Sequence, residues 1–236
     1  MSNELCAVDL RSMAMRILLC LLAPAIILAA RPASAQVWPN DVKATQFVDA
    51  TYGLSPQWRL NFYGELREDH NIGRFDNSIF RPNIQYQFAP NWLVGVGYVQ
   101  FQAWQSPYRA ELGPFQDLYY QDTLGKVGIL GRLRLNETFA DNNSAVFVTT
   151  AFFASIVVPL FDTAWFFNPS NEIYFALKTD YYPGRKAGFA EDKIFYGVGY
   201  AVSKQVSLVG GYETDVLNFT TPMIAHNFKL GLIASF

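Results

Sequence analysis

From Trp58 to Glu68 the side chains alternate between apolar and polar. Trp58, Leu60, Phe62, Gly64 and Leu66 share one face, and Arg59, Asn61, Tyr63, Glu65 and Arg67 share the other. A period of two predicts a strand with two unlike faces. Residues 79–88 repeat the pattern, with Phe80, Pro82, Ile84, Tyr86 and Phe88 opposing Arg81, Asn83, Gln85 and Gln87. The chain also ends this way: Phe228, Leu230, Leu232, Ala234 and Phe236 alternate with Asn227, Lys229, Gly231, Ile233 and Ser235. Further strands are predicted at 44–53, 92–102, 115–121, 127–139, 145–158, 172–182, 193–202 and 205–215. Turn residues such as Ser55-Pro56 and Pro90-Asn91 separate them. Loops are predicted at 70–77, 103–114 and 184–192. Gly95 and Gly97 leave the facing of 92–102 open. Residues 145–161 carry no charge, but β-branched and Phe side chains and the interrupting Pro159 favour a strand over a buried helix.

Alternation alone does not say which face meets water. The polar faces carry Arg59, Glu65, Arg67, Arg81, Arg132, Arg134, Lys178 and Asp180, with few of the Ser and Thr runs of a water-facing sandwich. Strand lengths lie near the roughly 10 residues that a tilted strand needs to cross a bilayer. The reading is all-β: a closed, antiparallel, up-and-down transmembrane β-barrel with apolar side chains toward lipid and charges toward the lumen. Eleven segments are counted. Single-chain bacterial barrels carry even numbers. A short strand within 37–43 is therefore expected to complete 12 strands, while dropping 115–121 would leave 10. The short turns at Ser55-Pro56, Pro90-Asn91, Gly125 and Ser203-Lys204 are expected at the periplasmic rim.

The first residues fit export. Arg11 and Arg16 precede an apolar run at 17–30, and Ala33-Ser34-Ala35 follows it. That order makes residues 1–35 a secretory signal peptide, cut after Ala35, with the barrel in 36–236. The run falls short of the roughly 20 residues of a spanning helix. Both cysteines, Cys6 and Cys20, lie in the removed part, so the exported chain is expected to fold without disulfides. The formal net charge of −2 gives no reason to expect nucleic acid.

Two resemblances follow from particular residues. The ending, with Phe236 and apolar Phe228, Leu230 and Leu232 at alternate positions, resembles the carboxy-terminal signal of Gram-negative outer-membrane barrels. This implies assembly by the barrel-assembly machinery. The segments Tyr52–Trp58, Arg81–Trp92, Gly131–Glu137 and Gly197–Ser203 resemble a family of outer-membrane β-barrels catalogued as a domain of unknown function. That resemblance implies fold and outer-membrane location, and it brings no activity.

Candidate chemistry is sparse. A lipid hydrolase would need a Ser nucleophile with a base in hydrogen-bond reach, which His-x-Ser on one strand supplies. The histidines after the signal segment are His70 and His226. The residues two places away are Glu68, Ile72, Ile224 and Phe228. No catalytic, cofactor or metal site is expected, although an outer-membrane lipid hydrolase or acyl-modifying enzyme is the alternative. The expected site is a lumenal charge network of Arg59, Glu65, Arg67, Arg81, Asp117, Arg132, Arg134, Glu172, Lys178, Asp180, Glu213 and Lys229. Pairing across strands would largely fill the lumen, leaving a structural barrel or a porin-like narrow channel for a small solute. The other partner expected is outer-membrane lipid.

Overall fold

The computed structural model describes residues 40–104, 109–140, 146–178, 187–218 and 222–236. They form a closed β-barrel: β1 Asn40–Gly53, β2 Trp58–Asp69, β3 Arg74–Ala89, β4 Trp92–Ala103, β5 Arg109–Leu124, β6 Val127–Ala140, β7 Val146–Pro159, β8 Trp165–Ala176, β9 Gly188–Ala201, β10 Val206–Leu217 and β11 Met223–Ser235. Consecutive strands pair antiparallel. The last pairing closes the ring between β1 and β11, which run parallel from Asn40↔Ile224 to Thr51↔Ser235. Beyond β11, the Phe236 amide donates to the Thr51 carbonyl at 2.9 Å, and the Gly53 amide donates to the Phe236 carbonyl at 2.8 Å.

The strand count is therefore eleven among the described residues, which corrects the expectation of twelve or ten. An up-and-down meander with an odd number of strands closes if its first and last strands run parallel, and these do. Residues 40–43 extend β1 instead of forming a strand of their own, and 115–121 lie within β5. Besides β1 and β8, three strands begin well before the positions that alternation suggested: β3 at Arg74, β5 at Arg109 and β9 at Gly188. The β8 strand moves furthest, to Trp165–Ala176 from the expected 172–182. Asn168, Pro169 and Ser170 lie in register with β9. Pro169 has no N–H, and the Asn168 side-chain amide donates to the neighbouring Ile156 carbonyl at 2.9 Å, filling the place. The segment at 145–161 is a strand, β7, as expected. Residues 1–35 and 37–39 lie outside the described residues.

The faces are inverted relative to a water-soluble protein. Phe62, Leu66, Phe80, Val96, Leu133, Leu208, Phe228 and Leu230 are exposed on the outer wall, while Glu65, Asp117, Arg134, Lys193 and Glu213 are buried inside. Rings also fill the interior by lying on glycines of the neighbouring strand. A Cβ added at Gly231 would sit 2.2 Å from the Phe47 ring, and one at Gly97 would sit 2.5 Å from the Phe115 ring. Glycine is required there because another group already occupies the space above the backbone. On the outer wall, Trp58 packs on Tyr86, Trp92 on Tyr120 and Trp165 on Tyr200, with centroids 4.7, 5.0 and 5.0 Å apart. All three pairs sit at the rim that holds the turns at 54–57, 90–91 and 160–164, together with Phe236.

The seam makes a separable prediction about Phe236. Deleting it removes two hydrogen bonds, each with a net value of about 1 kcal/mol, whereas Phe236→Ala keeps both. In detergent-refolded protein the deletion is expected to lower the urea midpoint and Phe236→Ala to retain it. Equal losses would assign the effect to the ring and not to the seam.

Candidate functional site

The interior is built by the odd-numbered residues of β1 to β5, the even-numbered residues of β6 and β8, and the odd-numbered residues of β7, β9, β10 and β11. This follows from the cross-strand registers. Its tightest element joins β5 to β6. Asp117 and Arg134 are direct cross-strand neighbours. Arg134 grips the carboxylate at both ends, Nε to Oδ1 and Nη2 to Oδ2, each at 2.7 Å. Tyr119 donates its hydroxyl to Asp117 Oδ2 at 2.6 Å, and the Phe115 ring lies 4.2 Å from the guanidinium carbon. A forked, charge-assisted pair backed by an aromatic face is the arrangement in which a buried arginine is best compensated. Two residues along β6, Arg132 bonds Glu172 of β8 across β7 and stands over the Phe153 ring at 5.0 Å.

The opposite wall repeats the theme. Glu65 accepts hydrogen bonds from Arg67 and from the Tyr63 hydroxyl on its own strand. Glu213 accepts Lys229 Nζ and Asn227 Nδ2, both at 2.9 Å, and Thr45 donates to Asn227 Oδ1 at 3.0 Å. That chain of polar contacts crosses the parallel seam from β1 to β10. The two walls are close enough to interact electrostatically: Arg67 with Glu191, Glu65 with Lys193, and Glu172 with Arg81.

Ten of the twelve expected network residues thus line the interior: Arg59, Glu65, Arg67, Arg81, Asp117, Arg132, Arg134, Glu172, Glu213 and Lys229. Two of these lack a carboxylate partner. Arg59 bonds the side-chain carbonyls of Gln87 at 2.9 Å and Gln121 at 3.4 Å. Arg81 lies 5.8 Å from the Tyr63 ring centroid, and its buried Nε has no hydrogen-bond partner. Lys178 is corrected out of the network, because β8 ends at Ala176 and leaves it exposed beyond the strand. Asp180 lies outside the described residues. Four members were missed: Asp49, Glu191, Lys193 and Asp215. Asn61 donates to Asp49 at 2.6 Å, Lys193 lies 3.2 Å from Glu191, and Asp215 is the cross-strand neighbour of Lys193. The alternation Glu191-x-Lys193-x-Phe195 signals this, but the glycines before it made 184–192 look like a loop.

Neither histidine enters the interior. His70 sits in the β2–β3 turn at a φ of 52°, 3.0 Å from Asp69. His226 is on the outer wall, where its Nδ1 is 2.5 Å from the Tyr212 hydroxyl and its cross-strand neighbour is Thr214. Among the described residues no group of His, Cys, Asp and Glu forms a metal site.

Removing one member of a buried pair strands the other. Arg134→Leu is expected to destabilise the barrel by about 3–5 kcal/mol because Asp117 is left uncompensated, and Arg132→Leu should behave alike through Glu172. Leu133→Ala, on the exposed wall between them, should change little. Replacing Asp117 and Arg134 together by Leu should recover most of the loss. Urea-unfolding midpoints in detergent check all four.

The matched family accounts for most of the chain: its model, described as "Protein of unknown function (DUF2490)", covers residues 46–224. No curated protein matches the sequence. Among solved structures, LpxR from Salmonella typhimurium is similar at 8% identity with a TM-score of 0.44, over 76% of this chain and 84% of that one. The chain belongs to the DUF2490 family.

Proposed function

We propose that this chain is an exported outer-membrane β-barrel of a Gram-negative bacterium, structural in kind, with its lumen sealed by ion pairs. The observation that carries the reading is the inversion of polarity. Leu230 is 61% exposed on the outer wall, while Arg134 and Asp117 are 3% and 4% exposed inside. Water would drive those faces the other way, whereas lipid outside and a packed lumen inside satisfy both. Burial of the interior charges favours the structural barrel over a narrow channel for a small solute. Removal of residues 1–35 and recognition of Phe228, Leu230, Leu232 and Phe236 by the barrel-assembly machinery belong to the same reading. The rim with the short turns and Trp–Tyr pairs then faces the periplasm, with aromatics at the interface.

The alternative is a lipid hydrolase. His226 faces the same outer wall as the lipid would. Its Nδ1 is already engaged by Tyr212, and its cross-strand neighbour is Thr214 and not Ser.

Planar-bilayer recording of the refolded barrel separates the readings. Insertion without conductance steps is expected for a sealed lumen. Steady steps in the wild type would overturn the seal. Release of fatty acid from phospholipid vesicles, lost in His226→Ala, would replace the structural reading with the hydrolase.

A further inference from the structure

The inner faces of β9 and β10 bring two carboxyl groups together. Asp215 stands opposite Lys193, and Glu191 lies two residues along on the same face, opposite Leu217. Asp215 is 5% exposed. Lys193 Nζ lies 3.2 Å from Glu191 Oε1, and Glu191 and Asp215 are hydrogen-bonded to each other. An ionised carboxylate only accepts hydrogen bonds. A bond between two carboxyl groups therefore contains a proton that one of them supplies.

The surroundings decide which one. Each cation near the pair already has a carboxylate of its own. Lys193 is paired with Glu191, Arg67 of β2 with Glu65, and Lys229 of β11 with Glu213. Asp215 is a fourth carboxyl group against these three cations. Its Oδ1 is buried, and no N–H or hydroxyl reaches it. The charges that act on Asp215 are Glu191, Lys193, Arg67 and Glu213. From β8, Tyr174 and Glu172 face Lys193, and Glu172 is held by Arg132. Toward the seam, the row of Asp215 continues through Ala225 to Asp41 of β1, which accepts the Asn71 amide at 3.3 Å. Lys43 stands in the row of Asn227 and Glu213 instead. A full negative charge on Asp215 would be buried between Glu191 and Glu213 with no cation left to offset it.

We propose that Glu191 and Asp215 hold one proton between them at neutral pH, making this corner of the lumen a proton-binding site that ties the stability of the closed barrel to pH. The proton rests on Asp215, whose hydroxyl donates to Glu191, while Glu191 keeps its charge for Lys193. The four carboxyl groups and three cations then balance. Removing the proton turns the shared hydrogen bond into a repulsion between two carboxylates. In the unfolded chain Asp215 meets water and is ionised at neutral pH. The folded barrel thus carries one proton more than the unfolded chain, and its stability falls as pH rises. Only the closed, charge-lined interior is needed for this, whatever surrounds the barrel.

Infrared spectroscopy of the detergent-refolded protein reads the proton directly, because a protonated carboxyl group has a carbonyl stretch separate from that of an ionised one. The wild type should show this band at neutral pH and lose it on titration to alkaline pH. Asp215→Asn, which puts an amide donor in place of the hydroxyl, and Glu191→Gln, which frees Lys193 to pair with an ionised Asp215, should each lack it. Urea unfolding gives the second readout. Between about pH 6 and about pH 7 the folded-to-unfolded ratio of the wild type should fall by about tenfold relative to that of Asp215→Asn. His70 and His226 titrate in both proteins and cancel in the comparison. No protonated-carboxyl band in the wild type, a band kept in either folded variant, or equal pH slopes for the wild type and Asp215→Asn would each overturn the proposal.

Discussion

Closure is the constraint on which everything else in this barrel depends. A sheet with free edges would leave two rows of peptide groups without partners. Ten of the joints are hairpins, held by the chain itself. The eleventh, between β1 and β11, joins strands at opposite ends of the sequence and must find its own register. Its backbone pairing runs the length of both strands. Side chains reinforce it from within, through the Thr45–Asn227–Glu213 chain, and the Phe236 main chain extends it at one rim. Parallel pairing also places the start of β1 and the Phe236 end at opposite rims. An antiparallel closure would have brought them to the same one.

Closing the sheet creates the second problem, which is what fills the middle. The solution mixes two kinds of packing. Where the wall carries glycines, rings lie flat on them, as Phe47 does on Gly231. Where it carries charges, several pairs are braced by an aromatic face: Arg134 by Phe115, Arg132 by Phe153, and Lys229 by Phe47 and Phe195. The rings exclude water from the pairs, which strengthens their attraction and raises the cost of breaking them. Phe47 serves both purposes, packing on the seam glycine and standing 5.8 Å from the Lys229 ammonium. The lumen is thus a core whose apolar and ionic parts are interleaved.

Strand direction and facing were legible wherever alternation ran unbroken. Arg59, Glu65 and Arg67 on β2, Arg81 on β3, Arg132 and Arg134 on β6 and Lys229 on β11 all turn inward as their periodicity requires. What failed was local punctuation. The strand expected at 172–182 begins instead at Trp165, and the contact that accommodates Pro169, Asn168 to Ile156, is made across strands and leaves no trace in the local sequence. That displacement carried Lys178 into the predicted network, while the loop expected at 184–192 left Glu191 out. The count failed for a different reason: parity was argued from how such barrels usually close, while the segments themselves numbered eleven. Partner identity was the least legible. Nothing on β2 indicates that Arg59 meets Gln87 and Gln121, because the lumen brings together residues from three hairpins.

A filled interior moves the question of activity to the surfaces. Most of the inner charges are matched to one another, Arg59 is held by two glutamines, and Arg81 is the arginine with the least compensation. It faces Glu172 across the lumen and Tyr63 beside it, so even this group has partners of opposite polarity nearby. Polar groups are also found on the outside. Gln46 and Gln100 flank the gap at Gly64, and Tyr212, Thr214 and His226 gather on β10 and β11. Both sets lie on the outer wall. On a wall facing lipid, a barrel that were purely a scaffold would gain stability by making these positions apolar. Their chemistry therefore belongs to whatever meets the outer wall.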